Sequence, residues 1–130
     1  MSNIPGDLQY TRSHEWVRDL PGGLVEVGIT DHAQAALGDL VFVEVPQVDT
    51  LVRAGDGCAV VESVKAASDV YSPVAGRIVA SNGELAERPE LLNHDPYGAG
   101  WLMRLQRDPS APGDALLSAA EYAQFLDAAE

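Results

Sequence analysis

The sequence feature that most constrains the fold is a run over residues 60–76 built around a single lysine. Lys65 is the only lysine in the chain, because the other seven of the eight basic residues are arginines. Valines precede it, and Val70 and Tyr71 follow it, a composition typical of β-strands. Small residues separate the two runs, so the pattern predicts two strands joined by a tight turn with Lys65 at its tip.

A lysine at the tip of such a turn is well placed to react with another protein. Its four-carbon stem carries the amine away from the backbone, and the neighbouring Ala66 and Ala67 are small. Because a lysine amine is almost fully protonated near neutral pH, the enzyme that modifies it must also remove a proton. The hairpin itself therefore needs no catalytic residue. Taken alone, Lys65 is also explained as a charged turn residue that improves solubility.

Other blocks of sequence narrow this choice, because five of them occur in an order typical of one family. They are residues 13–17 (SHEWV), 27–33 (VGITDHA), 37–44 (LGDLVFVE), 62–66 with 72–76 (ESVKA and SPVAG), and 93–101 (NHDPYGAGW). In combination they resemble lipoyl-carrier proteins, and more narrowly the H proteins of the glycine cleavage system. The resemblance covers nearly the whole chain. Cys58 and His94 stand where the family is expected to vary, and neither departure touches the lysine arm.

This resemblance implies a fold and a covalently bound cofactor. The implied fold is α+β but mostly β, a lipoyl-domain-like flattened barrel sandwich hybrid of two β-sheets with short helices and a C-terminal helix, in one domain over residues 1–130. The implied cofactor is lipoate, joined by an amide bond to Lys65. The resemblance also places Ser13 and Glu15 at a cleft that receives the lipoyl arm. Asp69, four residues past Lys65, is a third candidate, although most carboxylates in so acidic a chain are simply solvated.

The resemblance further implies a carrier rather than an enzyme. Such a carrier takes the aminomethyl group of glycine from a pyridoxal-phosphate-dependent glycine decarboxylase to a tetrahydrofolate-dependent aminomethyltransferase. An FAD-containing dihydrolipoamide dehydrogenase and the lipoate-attaching enzymes are its other implied partners. One alternative is an H-like relay protein that donates lipoyl groups to other complexes. A biotin carrier is less favoured, because biotinyl lysines typically lie between methionines, whereas Val64 and Ala66 flank Lys65. A pure scaffold comes last.

The charge of the chain limits its partners. A formal net charge of -12 and a sequence pI near 4.4 oppose binding to nucleic acids and to anionic membranes, and favour protein partners with basic surfaces.

Cys58 is the only cysteine, so no intramolecular disulfide forms and a reducing compartment is expected. Its apolar neighbours predict a small buried side chain rather than a nucleophile. The N-terminus has neither a basic start nor an apolar run, which indicates a cytoplasmic protein, the alternative being a mitochondrial form whose transit segment has been removed.

Other chemistries find little support in the sequence. The three histidines lie far apart and in unlike contexts, so no metal site is expected. No glycine-rich loop has phosphate-binding spacing. Ser63 lacks the Gly-x-Ser-x-Gly context of a hydrolase nucleophile, and is interpreted as a strand residue with a surface hydroxyl.

Local patterns predict the remaining elements. Pro21 and two glycines indicate a hairpin, Thr30 or Asp31 is a helix cap, and Gly38 is the left-handed helix stop. The predicted strands are residues 15–20, 24–29, 40–45 and 101–105. The predicted helical segments are residues 31–37 and 82–93, the second with a break at Pro89. A capping box beginning at Ser118 predicts a C-terminal helix that docks on the barrel through Leu117, Tyr122, Phe125, Leu126 and Ala129.

Overall fold

The computed structural model describes residues 3–109 and 116–129, except for the side chain of Ala129. This part of the chain forms two β-sheets, four α-helices and one turn of 3-10 helix at Pro21–Gly23. The strands are β1 (Gln9–Tyr10), β2 (Glu15–Asp19), β3 (Leu24–Ile29), β4 (Leu40–Glu44), β5 (Leu51–Val52), β6 (Gly57–Ser63), β7 (Ala67–Tyr71), β8 (Gly76–Ser81) and β9 (Met103–Arg107). The helices are α1 (Asp31–Leu37), α2 (Glu84–Glu87), α3 (Leu91–His94) and α4 (Ala119–Ala129).

Both sheets are antiparallel and share one apolar core. The larger sheet has the order β1-β2-β3-β9-β8-β5, and the smaller has the order β4-β6-β7. Inward-facing residues of both sheets are almost fully buried, among them Val27, Val43, Val61, Val70, Ile78 and Leu105. In β6 and β9 buried side chains alternate with more exposed ones, the pattern expected of strands with one face on a core, whereas every residue of β3 from Val25 to Ile29 is buried. The mostly β architecture predicted from the sequence is confirmed.

The first hairpin and the first helix form as the sequence predicts. Strands β2 and β3 pair antiparallel, and both turn glycines adopt positive φ, at 80° for Gly22 and 77° for Gly23. At the start of α1, the hydroxyl of Thr30 accepts a hydrogen bond from the backbone N–H of Ala33 (3.2 Å). The helix ends at Gly38, whose φ is 85°. Proline and glycine therefore set the turn and the end of α1 through backbone geometry, and the Thr30 side chain sets the start of the helix.

Two parts of the sheet differ from the prediction. Strand β9 covers Met103–Arg107 rather than residues 101–105, because pairing with β8 continues through the polar residues Gln106 and Arg107. The two-residue strands β1 and β5 were not predicted, since so short a strand shows no alternating pattern.

The C-terminal helix docks on the larger sheet at β1. Its capping box is reciprocal: the N–H of Ser118 donates to Glu121 (2.9 Å), and the N–H of Glu121 donates to the Ser118 hydroxyl (3.2 Å). Tyr122 is fully buried and stacks on Tyr10, with 4.7 Å between ring centroids. The predicted docking is thus confirmed, with Ala129 outside the described side chains. Within the described part of the chain, no helix is long and apolar enough to cross a membrane.

Candidate functional site

The lysine turn has the predicted form. Strands β6 and β7 pair antiparallel, residues 64–66 connect them, and Lys65 is exposed in this connection. The two β-prone runs of the sequence thus become the two arms of a hairpin. This geometry gives an approaching protein access to the Lys65 amine.

The side chain of Ser63 closes the turn. Its backbone N–H donates to the carbonyl of Ala66 (2.7 Å), and its hydroxyl accepts hydrogen bonds from the N–H groups of Ala66 (3.1 Å) and Lys65 (3.3 Å). Ser63 is only 9% exposed, so the predicted surface hydroxyl is wrong. The tight turn leaves two N–H groups without strand partners, and a serine hydroxyl at this position satisfies both.

The segment that leads into β4 supports the turn from one side. The N–H of Val64 donates to the carbonyl of Asp39 (3.2 Å). Lys65 lies over Gly38, where a β-carbon added to the glycine would stand 3.6 Å from the lysine Cε. From α3, the side-chain amide of Asn93 donates to the carbonyl of Gly38 (2.9 Å). The hairpin tip therefore rests on a loop that is itself held by side-chain hydrogen bonds.

A cleft of about 500 Å³ lies beside the far end of β7. It is lined by Thr11, Arg12, Ser13, Glu15, Gly55, Tyr71, Ser72, Pro73 and Leu116. The structure thus brings together two of the three predicted cleft residues, Ser13 and Glu15. Asp69 is exposed and does not line the cleft, but it lies two residues before Tyr71 and so on the same face of β7.

Glu15 is the most unusual group in the cleft, because it is a carboxyl with only 2% of its surface exposed. One of its oxygens accepts hydrogen bonds from the hydroxyls of Thr11 and Ser13 (both 2.6 Å), and the other accepts from the N–H of Tyr71 (3.3 Å). Burial raises the pKa of the Glu15 carboxyl, and these three hydrogen bonds oppose that rise. Within the described residues, Glu15 forms no ion pair.

The raised pKa of Glu15 predicts a pH-dependent effect on stability. Between 4.5, the ordinary value, and the higher folded pKa, the folded protein binds more protons than the unfolded chain, so stability contributed by this group falls as pH rises. Glu15→Gln removes this loss. The Tm of the variant minus that of the wild type should therefore increase from about pH 4 to about pH 7. Glu90→Gln, which removes an exposed carboxylate, is the control, and an equal change in both variants would contradict the prediction.

Two histidines are closer in space than the sequence indicates. The rings of His14 and His32 lie 4.7 Å apart between centroids, because the N–H of Thr30 donates to the carbonyl of His14 (3.0 Å) across the first hairpin. His14 also forms a hydrogen bond with the hydroxyl of Tyr122 (2.7 Å). The sequence separation of the two histidines was therefore misleading. Among the residues that the structure describes, no cluster of three or more metal-ligating side chains occurs.

Cys58 has the environment predicted for a structural thiol. It is partly buried, and its Sγ lies 3.4 Å from the carbonyl of Val70 and 3.4 Å from the sulfur of Met103. Burial, followed by the charges of Glu15 and Asp56, raises the pKa of the Cys58 thiol to about 12. The thiolate is the reactive form of cysteine, so this thiol is inert at neutral pH.

Comparison with known proteins agrees with the geometry. The sequence pattern of the family "Glycine cleavage H-protein" matches residues 8–129. A glycine cleavage system H protein from Edwardsiella ictaluri is 58% identical over 127 residues, covering 98% of this chain and 99% of the relative. One from Halorhodospira halophila is 56% identical over 126 residues, covering 97% of each.

The fold comparison gives the same result. The crystal structure of a glycine cleavage system H protein from Mycobacterium marinum superposes with a TM-score of 0.87 at 47% identity, covering 95% of this chain and 99% of that chain. This similarity confirms the barrel sandwich of two sheets predicted from the sequence. With the family pattern and the relatives each covering more than nine tenths of its length, the chain belongs to the glycine cleavage H-protein family.

Proposed function

We propose that this chain carries lipoate in amide linkage on Lys65 and moves the aminomethyl group of glycine from the pyridoxal-phosphate-dependent decarboxylase to the tetrahydrofolate-dependent aminomethyltransferase. Proteins of its family are lipoyl carriers that work with the other glycine cleavage components and are not themselves catalytic. The observation that carries the proposal is the position of the only lysine, exposed in a turn that Ser63 holds closed. The relatives named above are bacterial, which supports a cytoplasmic location.

The residues present fit a covalently attached arm. An exposed primary amine at a hairpin tip accepts an acyl group without displacing any packed side chain, and lipoate bound there would supply a disulfide that takes up the aminomethyl unit as it is reduced. From Lys65, the outward face of β7 leads past Asp69 to Tyr71 at the edge of the cleft. Along β7, the four residue steps from Ala67 to Tyr71 span about 13 Å, and Asp69 lies at about half that length.

Glu15 makes the cleft favourable for a cationic group. It is a buried carboxylate with no ion-pair partner among the described residues, and a cationic amine entering the cleft would provide one. The hydroxyls of Thr11 and Ser13 hold one of its oxygens, and Ser13 offers a further hydrogen bond. We therefore assign Glu15 and Ser13 to binding the charged end of the loaded arm, with Asp69 as an exposed carboxylate on the path toward it.

Reconstitution tests the proposal. The lipoylated chain, mixed with purified glycine decarboxylase, aminomethyltransferase, dihydrolipoamide dehydrogenase, tetrahydrofolate and NAD, should support NADH formation that depends on glycine. The relay alternative predicts transfer of the lipoyl group to other acceptor proteins instead. A lipoylated chain that gives no NADH with glycine, in a mixture that responds to an established H protein, would contradict the carrier function.

A further inference from the structure

A bulge at the edge of the smaller sheet places two large apolar side chains on the surface. The register of β4 against β6 shifts between Leu40, which pairs with Ser63, and Phe42, which pairs with Glu62. As a result Val41 is 55% exposed and Phe42 is 48% exposed, whereas regular alternation would turn one of them inward. β-Bulges commonly redirect side chains next to functional sites, and this one lies on an edge strand.

These side chains lie next to the lysine turn. The loop before β4 contacts the turn twice, through the Asp39 carbonyl that accepts from the N–H of Val64, and through Gly38, over which Lys65 lies. Val64 is 73% exposed and adds a third apolar side chain beside the amine. In the unacylated protein, the lysine stem therefore leans toward the segment that leads to Val41 and Phe42.

Carboxylates surround this apolar patch of Val41, Phe42 and Val64. Glu62 pairs directly with Phe42, while Glu44 and Asp69 both pair with Val60, which lies two residues before Glu62 and so on the same face of the sheet. Asp39 is exposed in the loop before β4. In the part of the chain that the structure describes, none of these four carboxylates forms an ion pair. Like charges in neighbouring rows repel, so a basic partner surface would relieve a cost that the isolated protein bears.

We propose that this patch is the docking surface for the enzyme that acylates Lys65, a partner with an apolar contact rimmed by lysine or arginine side chains. The inference rests on the proposed function, because it assumes that Lys65 is the lipoyl attachment site. An enzyme that reaches the Lys65 amine must cover the atoms around it, and here those atoms are apolar with an acidic border. The decarboxylase and the transferase, which meet the arm after it has been acylated, are the alternative occupants of this surface.

The reaction at this surface requires an activated lipoyl group, such as an acyl adenylate made from ATP. The neutral Lys65 amine attacks the carbonyl carbon, a C–N bond forms, the C–O bond to the phosphate breaks, and AMP leaves. The amine proton passes to a base on the enzyme. Nothing in the hairpin takes part chemically, so the contribution of Val41, Phe42 and Val64 is to binding.

The matched control is Leu51 on the larger sheet. Among the described residues it is the most exposed large apolar side chain, at 79%, and it lies on the edge strand β5 rather than beside the lysine turn. Leu51→Ser and Phe42→Ser each remove one exposed apolar side chain. Val64→Ser adds a second test of the patch at a position so exposed that loss of folding is not expected.

The experiment measures acylation of the unmodified chain by a purified ATP-dependent lipoate–protein ligase, with chain concentration varied. Phe42→Ser and Val64→Ser should raise KM, about tenfold for Phe42→Ser, which is typical of losing one aromatic anchor, and leave kcat within about twofold. Leu51→Ser should match the wild type, and melting curves verify that each variant is folded. A KM for both patch variants equal to that of Leu51→Ser, with normal acylation of the wild type, would overturn the docking surface alone.

Failure of the wild type to be acylated at Lys65 would instead overturn the proposed function, and the inference with it. The competing occupants are tested with the acylated variants in the reconstituted system. Normal KM in acylation combined with a raised KM for the decarboxylase or the transferase would reassign the patch to those enzymes and contradict the inference.

Discussion

Lys65→Arg is expected to abolish lipoylation and carrier activity while leaving the fold intact. Arginine keeps the positive charge at the turn, but its guanidinium stays protonated and does not form the acyl linkage that a primary amine forms. Because the side chain at position 65 is exposed, the free energy of unfolding should change by no more than about 0.5 kcal/mol. Glycine-dependent NADH formation in the reconstituted system, together with a melting curve, measures both effects.

A double variant separates the position of the lysine from its mere presence. Lys65→Arg combined with Arg53→Lys moves the single amine to an exposed position in another turn, at residues 53–56. This chain should also remain unlipoylated, because Arg53 has neither the Ser63-closed turn nor the apolar patch beside it. Lipoylation or glycine-dependent activity persisting in Lys65→Arg would refute the assignment of Lys65.

Glu15→Gln combined with Asp69→Asn is expected to speed the breakdown of the loaded carrier about tenfold or more. An amine near a buried carboxylate gains a charge-assisted hydrogen bond of about 1.5 to 3 kcal/mol, and an amide in its place gives much less. Most of the effect should come from Glu15, since Asp69 is exposed and its interactions are screened by water. Both substitutions preserve side-chain size, which matters because Glu15 is buried.

The measurement is the release of formaldehyde and ammonia from aminomethyl-loaded protein in the absence of the transferase. The mass of the double variant should show that it is still lipoylated. This check distinguishes a loss of protection of the aminomethyl group from a loss of the lipoyl group itself. Asp19→Asn with Glu90→Gln removes two exposed negative charges outside the cleft lining and is the matched control. Release at the control rate would remove Glu15 and Asp69 from the site.

The hairpin was predictable because its determinants are local. A valine-rich run before a single lysine and a second β-prone run through Val70 and Tyr71 fix two strands and a turn. Glycines with positive φ fix the first hairpin and the end of α1. The relation between the lysine and the cleft came from family resemblance rather than from these patterns. Nothing in the local sequence places Glu15 beside Tyr71, 56 residues further along the chain.

The features that were missed depend on contacts between distant segments or on side-chain orientation. Ser63 looks like any strand serine until the turn directs its hydroxyl toward two N–H groups, although a serine at the start of a tight turn is a known signal for this motif. His14 and His32 meet because strand pairing joins the ends of the first hairpin. The exposure of Phe42 follows from a bulge, and no alternation pattern reveals where a register shift occurs.

We propose Lys65 as the residue that carries the lipoyl group. The most direct test is intact and fragment mass spectrometry of the wild-type chain, produced in lipoate-supplied cells together with an established lipoyl domain as a positive control. The wild-type chain should gain the mass of one lipoyl group, confined to Lys65. A biotinyl group, a lipoyl group at any other residue, or an unmodified chain beside a fully lipoylated control would contradict it.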